Sequence, residues 1–294
     1  MTYTPRAGVS GINPEHWASM FQVPLRKSLV AAEVANTRFE SVLTDGTKIH
    51  FPHYSSLSVT DYTPGSDISG HEQLTATDET LTVDQSKIVR TYVDDIEELQ
   101  SRPDMQSAII EEGVFQIRNN IDTAVLLNVT GAASALDDGD IGGSAGSAIT
   151  ATSGNVIDIF SSAREKLRRM NVEETGDWIV VAHPKLLQYI EIKAADSGFN
   201  TADSTLRNGF VGNWMGFRWY LSNNLPTETY GGTADTTNVY IGRAKQIDLV
   251  TQMAPRVIVK DAEKRLGQYM YFHTLYGTGL FEKHKNRFLS LKIS

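Results

Sequence analysis

The chain has 294 residues, 40% of them hydrophobic, and a formal net charge of −8. That is apolar enough for one large or two medium cores, and too acidic overall for a module that grips nucleic acid without regard to sequence, which needs a basic surface. Cysteine is absent, which removes disulfides, thiol catalysis and cysteine-ligated metal together. No apolar run approaches the roughly 18 residues of a membrane span, and the N-terminus lacks the apolar stretch of a signal peptide.

Residues 1–13 are polar, contain Pro5, Gly8 and Gly11, and show no apolar period, so they read as an arm. Asn13-Pro14-Glu15 is a helix start: an Asn cap, a proline in the first turn and an acid at the positive end of the dipole. Pro24 predicts a second helix carrying Leu25, Leu29 and Ala32 or Val34 on one side. Arg26 and Lys27 stand near its start, where cations oppose the dipole. They form either a solvated face or a contact with an acidic neighbour or nucleic acid.

Thr44-Asp45-Gly46-Thr47 predicts a tight turn joining strands at Arg38–Leu43 and Lys48–Phe51. From residue 53 to 91 the chain turns polar. Turn signals fall at Thr63-Pro64-Gly65 and Asp78-Glu79, and weak strand patterns at Ser58–Tyr62, Gln73–Thr77 and Thr80–Val83. Such a segment cannot bury enough apolar surface for a core of its own. We read it as a projecting hairpin, and because a lone two-stranded hairpin is marginal in water, its support is expected from another chain.

Lys87–Val93 reads as a strand that runs into the acidic corner Asp94-Asp95-Ile96-Glu97-Glu98. A long amphipathic helix follows. Pro103 suits its first turn, and Ile110, Val114, Ile117, Ile121, Ala124 and Val125 share one face. Ending at Leu127, it would be about 37 Å long. Gly113 inside it costs about 1 kcal/mol against Ala, so packing against something large must hold it. Gly131–Gly154, rich in Gly, Ala and Ser, reads as a linker or surface loop.

Beyond it, Asn155–Met170 returns to helical spacing, Trp178–Ala182 is a continuous apolar run suited to a buried strand, and His183-Pro184 opens a helix to Ile192. That alternation predicts an α/β domain. Gly209–Asn224 predicts twisted strands and turns, and further strands fall at Asn238–Ile241, Arg256–Lys260, Leu275–Phe281 and the final RFLSLKIS. From Arg256 to Ser294 eight Lys/Arg face three acids, a local +5. The acidic corner at 94–98 is its natural partner, within a subunit or between subunits.

Catalytic and metal patterns are thin. Gly142-Gly143-Ser144-Ala145-Gly146 matches the spacing of a nucleophile elbow, which needs a strand before the serine and a histidine beside it; the preceding ALDDGDI is no strand. His50 and His53 flank Pro52 with no third ligand in step. Asp137, Asp138 and Asp140 cluster, but the twelfth position of a calcium loop would be Ile149. Phosphate-binding and dinucleotide fingerprints are missing. Trp214, Phe217 and Trp219 suit a core better than a ligand groove. We therefore expect no catalytic, cofactor-binding or metal site; the alternative of an α/β hydrolase rests on Ser144 alone.

INPEHWASMFQVPLRKSLVAAEVANTRFE, then DGTKIHFP, VTDYTPGSDI and LTVDQSKIVRTYVDDIEELQS, with GFVGNWMGFRWYLSNNLP and YGTGLFEKHKNRFLSLKIS later, together resemble the major capsid proteins of tailed bacteriophages, which have the Hong Kong 97-type fold. The resemblance covers nearly the whole chain and lies in the order and spacing of the pieces. It implies an α+β chain with an N-terminal arm (1–35), a strand and extended hairpin loop (36–91), a peripheral domain with a long spine helix (92–130, completed by part of 251–294) and an axial α/β domain (131–250). It implies a virion shell protein assembling as pentamers and hexamers in the host bacterial cytoplasm, with a separate scaffolding protein, a portal and decoration proteins as partners. Such a shell encloses double-stranded DNA without reading its sequence and involves no membrane. A bacterial nanocompartment (encapsulin) shell of the same fold is the near alternative. Charge nominates Arg6, Arg26, Lys27, Asp94, Asp95, Glu97, Glu98, Arg256 and Lys260 as inter-subunit contacts.

Overall fold

The computed structural model describes residues 26–27, 29–41, 45–65, 67, 70–95, 105–174, 176–196, 213–229 and 235–294. The expected helix after Asn13, together with Pro24, Pro103, Arg6, Glu97 and Glu98, lies outside the described residues.

The chain enters through a four-residue helix α1 (Ala31–Val34) and a short strand β1 (Ala35–Asn36). The longer helix expected from Pro24 does not form over the described residues: 26, 27, 29 and 30 are irregular. The cause is a tertiary capture. Asp122 accepts hydrogen bonds from the backbone N–H of Val30 and of Ala31, at 2.7 and 2.6 Å. Ala35 and Asn36 then pair parallel with Ile247 and Asp248.

Strands β2 (Lys48–Tyr54) and β3 (Ala76–Thr82) form a separate two-stranded sheet. Gly46 takes φ +94° within the bend 45–47, but β2 pairs with β3 and not with the described residues 38–41. Residues 38–41 are a turn. The turn expected at Asp78-Glu79 is strand instead. Asp78 and Glu79 stand opposite Pro52 and Phe51, and their carboxylates meet His50 Nδ1 at 2.6 Å and His53 Nδ1 at 3.2 Å. The His50–Asp78 pair stays exposed, whereas His53 and Glu79 are partly buried against each other. Ser58–Tyr62 is irregular and not part of a strand, and of Gln73–Thr77 only the last two residues join β3.

Strand β4 (Gln85–Asp94) leads toward helix α2 (Met105–Leu127), which a 3-10 turn (Asn128–Gly131) ends. Two long strands, β11 (Ile247–Asp261) and β12 (Gly267–Gly279), complete a four-stranded sheet in the order β1-β11-β12-β4. One face of it packs on α2: Val93, Ile117, Met270 and Phe272 are buried together, with Ile110, Val114 and Ile121 against them. Gly113 is explained here. A Cβ at that position would lie 2.6 Å from a ring carbon of buried Phe272, so the absent side chain lets helix and strand approach closely.

The second sheet has seven strands. It comprises β5 (Ser134–Leu136), β6 (Trp178–Ala182), β7 (Asn213–Trp214), β8 (Phe217–Leu221), β9 (Thr227–Thr229), β10 (Asp235–Arg243) and β13 (Phe288–Ile293). The order is β5-β13-β10-β6-β8-β7, with β9 also on β10. All five residues of β6 are buried, as its unbroken apolar run requires of a central strand. Helix α3 (Val156–Arg169) buries Val156, Ile159, Phe160, Ala163 and Leu167. Phe160 lies 4.8 Å from the Trp219 ring and 5.7 Å from Trp214, so these aromatics are core. Helix α4 (Pro184–Asp196) adds Leu186 and Ile190, and the short α5 (Glu282–Lys285) precedes β13.

Gly131–Gly154 is more structured than a linker. Strand β5 pairs parallel with β13, and Ile149 bridges to Ile293. Between them Asp137 caps a 3-10 turn in a capping box with Asp140. Small polar residues here satisfy a tight loop around buried Leu136 and Ile149, and composition alone does not distinguish that from a linker.

Gly113→Ala should destabilise the unassembled subunit by about 1–3 kcal/mol through overpacking against Phe272, although Ala is the better helix former by about 1 kcal/mol. Denaturant unfolding measures this, and a more stable variant would show that the ring moves aside freely.

Candidate functional site

Two surfaces stand out, and each begins with what its residues cannot bury. The first is the extension beyond β2 and β3. Between Tyr54 and Ala76 the described residues 55–65 and 70–75 are joined by a few hydrogen bonds. Ser55 N–H donates to Thr75 C=O at 3.0 Å. The Glu72 carboxylate accepts from the Ser58 N–H at 2.8 Å and the Ser58 hydroxyl at 2.9 Å. Those bonds, the amide first, hold the Glu72 carboxyl below its ordinary pKa. Yet Tyr54, Leu57, Val59, Tyr62 and Leu74 are exposed, Val59 completely at 100%. The segment from Ile49 to Ser86 carries six carboxylates (Asp61, Asp67, Glu72, Asp78, Glu79, Asp84) and no Lys or Arg. It is thus an acidic projection with apolar residues turned to solvent.

The second surface is the face of the four-stranded sheet turned away from α2. Pairing register places Arg256, His273 and Ile88 in one row, Ile258, Tyr271 and Arg90 in the next, and Lys260, Tyr269 and Tyr92 in the third. Neighbouring residues on each strand face the helix: Met270 and Phe272 are buried, while Tyr269 and Tyr271 are only partly so. Ile88 is 54% exposed. Ile88, Ile258, Lys260, Tyr271 and His273 line one shallow depression of about 290 Å³. The Tyr92 and Tyr269 rings meet at 5.3 Å, tilted by 49°, and the Arg265 guanidinium lies 5.9 Å from the Tyr92 ring centre. The face is basic and aromatic, with a chemical character opposite to that of the projection.

The residues nominated by charge distribute as follows. Arg256 and Lys260 lie on this sheet face and are exposed. Asp94 ends β4 opposite Gly267 and receives the Tyr92 hydroxyl at 3.1 Å; Asp95 is exposed beside it. The described end of the acidic corner therefore shares one end of the sheet with the turn that carries Lys264 and Arg265. Arg26 and Lys27 are engaged inside the subunit. Arg26 reaches Glu111 at 3.5 Å and Glu112 at 3.8 Å and lies 5.3 Å from the Phe115 ring. Lys27 donates to Asn224 Oδ1 at 2.9 Å.

Two buried carboxylates that sequence reading passed over hold the two sheets and the entering chain together. Asp122, in α2, takes the Val30 and Ala31 amides and also Asn224 Nδ2 at 2.8 Å. Asp248, fully buried, takes Asn36 Nδ2 at 2.7 Å and contacts His284 Nδ1 at 2.8 Å. An aspartate beside the apolar stripe of a helix, where it is a poor helix former, was the available signal for Asp122. Asp248 sits in a strand and had none.

Ser144 sits in a loop and not on a strand-to-helix turn. Its N–H donates to Asp138 Oδ2 at 2.9 Å and the Gly146 N–H to Asp137 Oδ2 at 2.7 Å, so the Gly-Ser run closes an aspartate-capped loop. Asp140 is taken by Lys166 at 2.7 Å. Among the described residues no group of three or more His, Asp or Glu side chains is placed to hold a metal, and no helix is long and apolar enough to cross a membrane.

Comparison with known proteins accords with this picture. The family described as phage capsid protein matches residues 40–285. No curated protein matches the chain. Among solved structures, a chain of Mycobacterium phage Che8 superposes with TM-score 0.80 at 21% identity, covering 97% of this chain and 98% of that one. The capsid of cyanophage P-SCSP1u gives 0.72 at 14% identity, over 100% and 99%. The mature capsid of bacteriophage PhiM1 gives 0.70 at 16% identity, over 96% and 92%.

Replacing Asp122 with Ala should cost about 2–4 kcal/mol, because buried N–H groups lose their acceptor, and should speed amide exchange at Val30 and Ala31 while α3 stays protected. Hydrogen exchange followed by mass spectrometry reads this; unchanged protection at 30–31 would remove Asp122 as the tie.

The family match spans most of the chain, and the α+β fold with its two sheets and long helix is that of phage capsid chains: this chain belongs to the phage capsid protein family and is a major capsid protein, a structural component of the virion.

Proposed function

We propose that the chain builds the icosahedral shell of a tailed phage, as pentamers and hexamers enclosing double-stranded DNA, with assembly in the host bacterial cytoplasm. Scaffolding, portal and decoration functions fall to separate proteins. Residues 1–35 serve as the arm, 36–91 as the strand and extended loop, 92–130 with part of 251–294 as the peripheral domain on its spine helix, and 131–250 as the axial domain, to which β13 also contributes. The observation that carries this reading is the projection at 55–75. It exposes Leu57, Val59, Tyr62 and Leu74 and has no core of its own, so its stability has to come from a neighbour.

Charge complementarity supports one seat for it. The acidic, apolar projection of one copy fits the basic, aromatic outer sheet face of the next, where Arg90, Arg256 and Lys260 stand among Tyr92, Tyr269, Tyr271, Ile88 and Ile258. Apolar burial at about 25 cal/mol per Å² supplies the affinity, and the charges set orientation and reject wrong partners. The contact is heterologous and closes only in rings. Many such weak contacts acting together hold a closed shell. Asp94 and Asp95, with the turn at Lys264–Arg265 at the same end of the sheet, form a second contact between copies, to which charge also assigns Glu97 and Glu98, and Arg6 a third; Arg26 and Lys27 support the subunit.

The deletion that tests this must spare the sheet. Removing residues 53–90 would take β3 and most of β4 with it, whereas replacing 55–75 by a short glycine turn leaves both. That variant should fold, with near-wild-type unfolding, and should form no closed particles by light scattering and negative-stain microscopy, even with scaffold present. Normal shells from it would refute the role of the projection. Independently, Arg256→Glu with Lys260→Glu should slow assembly, and Asp61→Lys with Asp67→Lys in the same chain should restore part of the rate. Nuclease-protected DNA in native particles would distinguish a genome shell from one that encloses protein cargo.

A further inference from the structure

Away from both surfaces, where the two sheets meet, lies a polar cavity of about 500 Å³. The end of β10, the start of β11, the start of β8, the residues after β1 and the turn into β13 all open onto it. It gathers five permanent cations, Arg38, Arg218, Arg243, Lys245 and Arg287, against two carboxylates, Glu33 and Asp177. A formal charge of +3 is thereby concentrated in one recess of a chain whose total is −8.

Few of these cations are spent. Arg218 meets Asp177 at 3.5 Å and Arg243 meets Glu173 at 4.0 Å. Among the described residues the side chains of Arg38, Lys245 and Arg287 have no ion pair. Arg218 Nε, on the lining, is buried without a hydrogen-bond partner among the described residues. Such groups are costly unless something completes them. Lys245 is also held at φ +58°, a left-handed conformation uncommon for a residue with a Cβ. Its N–H donates to Glu33 C=O at 3.2 Å, which fixes the strained turn at the rim.

The lining also defines the ligand class. Ala244 is the single apolar residue in it, so the aliphatic or aromatic anchors of a protein docking site are missing. A duplex cannot enter a recess of this size, though one backbone phosphate can reach its rim. We propose that this cavity is an anion site for a phosphate group, held by charge-assisted and bidentate hydrogen bonds from Arg38, Arg218, Arg243 and Arg287 with Lys245 as a mobile point charge. The phosphate comes either as a free anion or as a phosphodiester of nucleic acid. The site is separate from the shell contacts proposed above and is testable on subunits whether or not they assemble.

The experiment is calorimetric titration of the full-length chain with inorganic phosphate and with pyrophosphate, against chloride at matched ionic strength. Phosphate should bind the wild type, pyrophosphate more tightly. Arg38→Ala with Lys245→Ala and Arg287→Ala should weaken both by about tenfold or more, the scale of a lost charge-assisted hydrogen bond. Lys87→Ala with Lys193→Ala, removing two cations elsewhere, should leave them unchanged. Lys245→Gly separates binding from folding: it relieves the left-handed strain, so its melting temperature should rise while phosphate affinity falls. A short DNA duplex that competes with phosphate at this site identifies the phosphodiester as the source, and a duplex that does not identifies the free anion. Absence of phosphate binding, or equal affinity in the triple variant, overturns the proposal. So does loss of particle assembly by that variant with no anion binding by the wild type, which would make the recess a contact between copies.

Discussion

The structure turns on a stretch of chain that its own subunit cannot stabilise. Residues 55–75 leave Leu57, Val59, Tyr62 and Leu74 in water. The bonds that shape them, Ser55 to Thr75 and Ser58 to Glu72, are exposed and individually weak. In a monomer such a segment costs conformational entropy with little return. On the seat we propose for it, a neighbour's sheet, the same residues would gain burial and charge partners at once, and the deficit of the subunit would then drive assembly.

That strategy needs a rigid platform, and the two buried aspartates provide it. Asp122 joins the entering chain, the long helix and the Ser222–Asn224 loop through three hydrogen bonds. Asp248 joins β1, the start of β11 and α5. Both lie where the four-stranded and seven-stranded sheets adjoin. A buried carboxylate is expensive unless its oxygens are filled; with them filled, it holds its partners to one geometry. The close approach at Gly113 and Phe272 fixes the remaining freedom, the seat of the helix on the sheet.

Much of the fold could be read in advance because its elements are governed by local pattern. The apolar stripe of α2, the five-residue run of β6 and the Phe160 face of α3 each announce burial through spacing alone. The readings that failed were those that depend on a distant partner. The helix expected from Pro24 gave way because Asp122, ninety residues on, captured its amides. The Asp78-Glu79 turn became strand because β2 offered an edge to pair with and Ile49 and Leu81 are buried in the process. The Gly-rich 131–154 run gained a strand and an aspartate-capped turn because β13 offered an edge to pair with. Of the contact surfaces, the absence of Lys and Arg from Ile49 to Ser86 was legible as charge. The matching cations, Arg90, Arg256 and Lys260, come together only through the register of β4, β11 and β12.

The most direct measurement of the central claim uses the absence of cysteine in the native chain. Chains bearing Val59→Cys are mixed with chains bearing Ile258→Cys, allowed to assemble and oxidised mildly. The account predicts a disulfide-linked dimer that contains one chain of each kind, on a non-reducing gel of purified particles. Assembled particles in which this pair, and its neighbours Leu57 with Tyr271, fail to cross-link would contradict it.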